Sequence, residues 1–151
     1  MGAVACAAPP DMVATATGAA TPPLDQVVRI YDTAAGVVRP MGAVLDELAT
    51  RDVVFLGETH LDDTTHRFEA AVYAGLIERT GGRVVLSMEM FEADVQPVLD
   101  DYIAGRIDER EFLARARPWG NYATGYRTLI EAARSRGCLL YTSDAADEWL
   151  R

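Results

Sequence analysis

Both histidines of the chain lie in one stretch, "GETHLDDTTH", residues 57 to 66. Glu58 and His60 are two residues apart, so in extended backbone their side chains point the same way. His66 follows where a helix should begin. A second acid, Glu89, comes directly after "VVLSM" (84 to 88), much as Glu58 comes directly after "DVVFLG" (52 to 57), and Glu92 lies three residues further on. Mixed imidazole and carboxylate donors suit zinc, manganese or iron. The same acids could instead act as general base and general acid. Plainer roles exist for each residue. Glu58 could cap a loop, His60 bond a backbone carbonyl, and His66 sit solvated on a first helical turn. Glu89 could pair with an arginine, and Glu92 could lie on an exposed helix start.

The elements around these residues decide whether they meet. "DVVFLG" and "RVVLSM" are short apolar runs of the kind that form strands buried on both faces of a parallel sheet. Between them Asp62 or Asp63 can cap a helix. Phe68, Ala71, Val72, Gly75, Leu76 and Arg79 share one stripe of it, and Glu69 and Glu78 fall off that stripe. Gly81-Gly82 ends it. Strand, helix and strand of these lengths form a βαβ unit. Glu58 and Glu89 then sit at strand carboxyl ends, the edge where open α/β sheets bind ligands. The pocket predicted there gathers Glu58, His60, His66 and Glu89, with Glu92 nearby.

Upstream, residues 26 to 39 read as a hairpin around "DTAAG", and Pro40 opens a short helix. Downstream the chain turns helical. Asp94 can cap a helix with Pro97 in its first turn, Asp108 and Glu111 form a capping box, "PWGNY" is a loop, and a last helix spans 124 to 136. The expected class is therefore α/β: a parallel sheet with flanking helices and a helical cap within 93 to 136, truncated before its later strands.

The 151 residues suffice for one domain with a core. A net charge of −9 argues against nucleic-acid binding, which needs a basic face. All 14 basic residues are arginine, forked donors suited to anionic ligand groups. No run approaches the roughly 18 apolar residues of a membrane span.

The two ends read differently from the body. "AVAC" resembles the end of a bacterial lipoprotein signal in which Cys6 would carry lipid, with residues 1–25 as signal remnant and disordered tether. No charged or apolar segment precedes it here, and an incidental cysteine in a disordered tail is the alternative. "CLLYTSDAADE", Cys138 to Glu148, resembles a translated sequencing-adapter oligonucleotide. On that resemblance 138–151 is a non-native tail and Cys138 has no selected role.

The succession "VVFLGETHLDDTTH…VVLSMEMFEADVQPVLDDYIAGRIDEREF…WGNY…Y" resembles the ChaN-like haem-binding domain, a branch of the wider superfamily of Tiki proteins and erythromycin esterases. The likeness covers residues 26–137, the first half of such a domain. It implies a non-enzymatic haem-binding lipoprotein of the bacterial envelope, lipid-anchored or periplasmic, that serves haem or iron uptake. It also implies haem ligation by tyrosine, with histidine contacting propionates across a homodimer. His60, His66, Tyr122 and Tyr126 are the cofactor-binding candidates on this reading, with Tyr102 behind them. The hydrolase side of the superfamily implies an alternative. There Glu58 and His60 would hold a divalent metal such as zinc or manganese, or activate water, with Glu89 assisting, and a cytoplasmic location would be open.

Overall fold

The computed structural model describes residues 21–143, so Cys6 and the end of the tail fall outside the described residues. After a single helical turn, α1 (Leu24–Val27), strands β1 (Ile30–Asp32) and β2 (Val37–Arg39) form the expected antiparallel hairpin. Asp32 Oδ1 accepts from the backbone N–H groups of Ala34 and Ala35, and Gly36 takes the positive φ of 70° that the turn requires. Helix α2 (Met41–Leu48) follows Pro40 directly.

Helix α3 (Asp63–Thr80) begins at Asp62, whose carboxylate accepts from Thr65 N–H at 2.8 Å, and ends at Gly81 in the left-handed conformation. It is buried on two faces. Val72 and Leu76, with Phe68 beside them, pack on Leu45 of α2. There Gly75 lets the helices close, since a Cβ on it would come within 2.5 Å of a Leu45 methyl. The other face carries Tyr73 and Ile77 into the larger core.

Strand β3 (Leu86–Met88) leads through a 3-10 turn (Ala93–Val95) into α4 (Gln96–Ile103), then α5 (Glu109–Ala116), a π turn (Tyr122–Tyr126), α6 (Arg127–Arg136) and β4 (Leu140–Thr142). Strand β4 pairs with β3 in parallel. The helices of 93–136 build the main core against this pair. Phe91, Leu99, Phe112 and Ile130 have no exposed surface, each contributing about 1.5–3 kcal/mol by burial. Phe112 stacks on Tyr102 with ring centroids 4.3 Å apart, and the Arg134 guanidinium covers the other side of that tyrosine at 4.5 Å.

The fold is mixed α/β with a parallel strand pair, as the sequence suggests. Three local expectations change. Residues 52–57 form no strand: they pair with neither sheet, and Val53 and Phe55 are 66% and 92% exposed. An apolar run becomes a buried strand only where a neighbour accepts its backbone, and among the described residues β3 pairs only with β4. Residues 84–88 are buried on one face, with Val85 and Ser87 outward. Asp94 caps no helix; its carboxylate pairs with Arg117 at 2.6 Å, and the turn beside it starts uncapped at Glu92. The β4 position is taken by residues of the adapter-like stretch, and Cys138 and Leu140 are buried there. Backbone pairing asks little of side-chain identity, so any short apolar run can fill such a place.

Candidate functional site

A short turn carries Glu58 to Leu61 from the unpaired 52–57 segment into α3. Asp62 N–H bonds the Thr59 carbonyl at 2.9 Å, which closes the turn just before the helix cap. Across from it the π turn brings Gly125 and Tyr126 up against the first turn of α3. Its extra residue per turn is what aims Tyr126 at this junction. Gly125 is required by proximity, because a Cβ there would lie 2.8 Å from the His66 ring.

Glu58 is the centre of the arrangement. One oxygen, Oε1, accepts from His66 Nε2 at 2.9 Å and from the Tyr126 hydroxyl, and His60 Nδ1 lies 3.4 Å away. The His66 and Tyr126 rings pack with centroids 4.8 Å apart. Burial by itself would raise the Glu58 carboxyl, yet the bonds from Tyr126 and His66, with His60 alongside, hold it below the ordinary glutamate value. Tyr126 responds in the opposite sense: burial and the Glu58 carboxylate push its phenol up. His66, 3% exposed, donates through Nε2, and its Nδ1 has no partner among the described residues.

Glu69 joins this cluster from the next turn of α3. It is 7% exposed, and burial, then the charge of Glu58, raise its carboxyl to about 7 against the pull of His66 and His60. Sequence reasoning missed Glu69 and placed His66 no deeper than a first turn, because it followed a single stripe. The second stripe was present in the sequence: His66, Glu69, Tyr73 and Ile77 recur at helical spacing.

The outer side of the same turn is open. His60 is half exposed, and its ring meets Trp119 edge-on with centroids 4.8 Å apart. The carbonyl of His60 accepts from Asn121 Nδ2 at 2.6 Å, which ties the turn to the 119–121 loop. Between them lies a cleft of about 480 Å³ lined by His60, Leu61, Glu89, Trp119, Gly120 and Asn121. That volume suits a small-molecule ligand.

The structure thus brings together Glu58, His60, His66 and Tyr126, and sets Glu89 on the cleft that His60 borders. Glu92 lies elsewhere, paired with Arg117 at 2.5 Å. Tyr122 is buried in the core with its hydroxyl on Glu109 at 3.2 Å, and Tyr102 bonds Glu131. Neither lines the cleft. Among the described residues no three His, Cys, Asp or Glu side chains surround a point where a metal ion would sit; the two imidazoles converge on one carboxylate oxygen instead.

Fold and site together define a mixed α/β domain with a largely buried polar cluster behind an apolar-walled cleft. The model of a family described as haem-binding uptake, Tiki superfamily, ChaN matches residues 44–151, and the chain belongs to that family. No curated protein and no solved structure matches it. Haem is therefore the ligand class against which the cleft is judged. Trp119 and Leu61, the latter 87% exposed, offer apolar surface to a macrocycle, and His60 offers an accessible imidazole beside them. The residues present fit the group.

Proposed function

We propose that the chain is a haem-binding domain acting in haem or iron uptake, with the macrocycle seated in the cleft between the His60–Leu61 turn and the Trp119–Asn121 loop. One observation carries this reading: an accessible imidazole stands at the edge of an apolar-walled cleft in a chain of a haem-binding family. Bound haem would supply its iron, as cargo or as a resident group. The protein's part is to shield the ring with Trp119 and Leu61 and to leave Glu89 at the rim. As an acid, Glu89 would disfavour propionates on its side of the cleft. Placement in the bacterial envelope through a lipid on Cys6, and pairing of two chains around the ligand, belong to the same proposal; the first rests on the lipoprotein-like "AVAC" stretch and the second on the family resemblance alone. Titration of the full chain with ferric haem tests it. A saturable Soret band is expected, and its absence at micromolar concentrations would sink the reading.

A second reading has its own observation in favour. Glu58 is held low and Glu69 is raised to about 7, and two carboxyls pushed apart in this way are a recurrent feature of acid–base catalysts. On this hydrolase reading Glu58 and His60 would activate water or hold a divalent metal, with Glu89 assisting. Uptake of manganese or zinc that disappears in His60→Ala, in a chain with no affinity for haem, would favour it over the first.

A further inference from the structure

We propose that a second cavity, roofed by α1 and the hairpin, binds a long-chain carboxylic acid, with the chain among apolar side chains and the carboxylate on Arg29. The cavity has a volume of about 660 Å³ and shares no lining residue with the cleft beside His60. Its apolar wall comes from three directions. Leu24 and Val28 belong to α1 and its end, Ile30 and Val38 to the two strands, and Met41 and Ala71 to α2 and α3.

This part of the chain is joined to the body unlike the rest. Leu24, Val28 and Ile30 are half-buried, yet none of them belongs to either packed core. Polar staples hold the roof instead. Arg67 donates to the Pro22 carbonyl at 2.5 Å, and Arg39 donates to Glu47 at 2.5 Å and to the Ala43 carbonyl at 3.2 Å. The roof is fastened at its two ends and unpacked beneath, where protein interiors are ordinarily filled. A space of this size with a mostly apolar lining and a few charged groups has the make-up of a small-molecule site.

Charge selects the ligand class. Of the two arginines on the lining, Arg39 is committed to Asp32, Glu47 and the Ala43 carbonyl. Arg29 is exposed, and its guanidinium has no hydrogen-bond or ion-pair partner among the described residues. That fork matches a carboxylate in two parallel bonds. Asp25 stands on the same rim without pairing to Arg29, and its charge would oppose an anionic head group. Apart from these three charged residues every lining side chain is apolar, which suits an acyl chain and offers a sugar or a nucleotide base no polar partners.

The test titrates the full chain calorimetrically with dodecanoate, kept below its micelle threshold. Saturable one-to-one binding is expected. Both 1-dodecanol, the same chain without the charge, and the Arg29→Gln variant with dodecanoate should bind about tenfold more weakly. Asp25→Asn should bind dodecanoate more tightly. Ala71→Phe fills the floor of the cavity and should abolish binding; Val38→Asp, at an exposed strand position, does the same from the roof by adding an acid, and circular dichroism checks both folds. Trp119→Ala, in the other cleft, should leave dodecanoate affinity unchanged. Haem binding is read separately and bears on neither outcome. The proposal is overturned by the absence of saturable binding, by equal affinity in Arg29→Gln, or by binding that Trp119→Ala removes while Ala71→Phe and Val38→Asp retain it.

Discussion

One turn of chain serves two regions of opposite character. Behind it His66, Tyr126 and Glu69 are buried around a partly exposed Glu58, which meets several donors at one oxygen. In front of it His60 and Leu61 face solvent beside Trp119, which is partly buried against the core. Residues of the same types, two to eight positions apart, have opposite fates. The difference teaches that neighbouring polar residues can be divided by one turn of chain, some spent on joining elements and others left on an open surface.

The contrast makes predictions of decreasing size. Glu58→Ala leaves the His66 and Tyr126 donors buried without an acceptor and should cost about 1–3 kcal/mol for each donor in urea unfolding. A loss under about 0.5 kcal/mol, the range of ordinary surface changes, would mean the cluster is not a structural unit. Glu69 acts with pH. Below about 4.5 the carboxyl is protonated in both folded and unfolded chains; as pH rises toward about 7 only the unfolded chain releases its proton. Stability therefore falls across that window, and the penalty is complete above it. Glu69→Gln should remove this slope and gain of the order of 2–3 kcal/mol at pH 8, as measured by unfolding at a series of pH values. Glu58 has the reverse sign: its lowered value stabilises the fold above the unfolded glutamate pKa and is lost on acidification.

Gly125→Ala should cost about 1–3 kcal/mol, because a methyl there collides with the His66 ring. If its unfolding midpoint matches the wild type, the close approach of the π turn to α3 is not a constraint. Leu61→Ser, on the open side, should leave stability within about 0.5 kcal/mol yet weaken haem in the same titration. Equal haem affinity in this variant would remove Leu61 from the ligand surface.

Much of this was readable from the residues in order. The hairpin glycine, the Asp62 and Asp108 caps and the helix ends all depend on local backbone chemistry, which a short window of sequence contains. The pairing of Glu58 with His60 follows from their spacing. The depth of His66 and Glu69 does not follow from one stripe, because α3 is covered from both sides, by α2 and by the π turn with α6. The state of 52–57 was illegible for a different reason. Its composition specifies what it would do beside a partner strand, and whether a partner stands there depends on residues distant in sequence.

The π turn at Tyr122–Tyr126 carries one residue more than an α-helical turn would. Deleting Ala123 would let the segment wind as an ordinary helix and rotate what precedes the cut by about 100° relative to α6. Tyr126 and α6 could then keep their seats only if Trp119 and Asn121 swung away from His60, and the reverse would hold if the loop stayed put. A single inserted residue thus acts as a phase-setting gear tooth that keeps the front wall and the rear anchor in step.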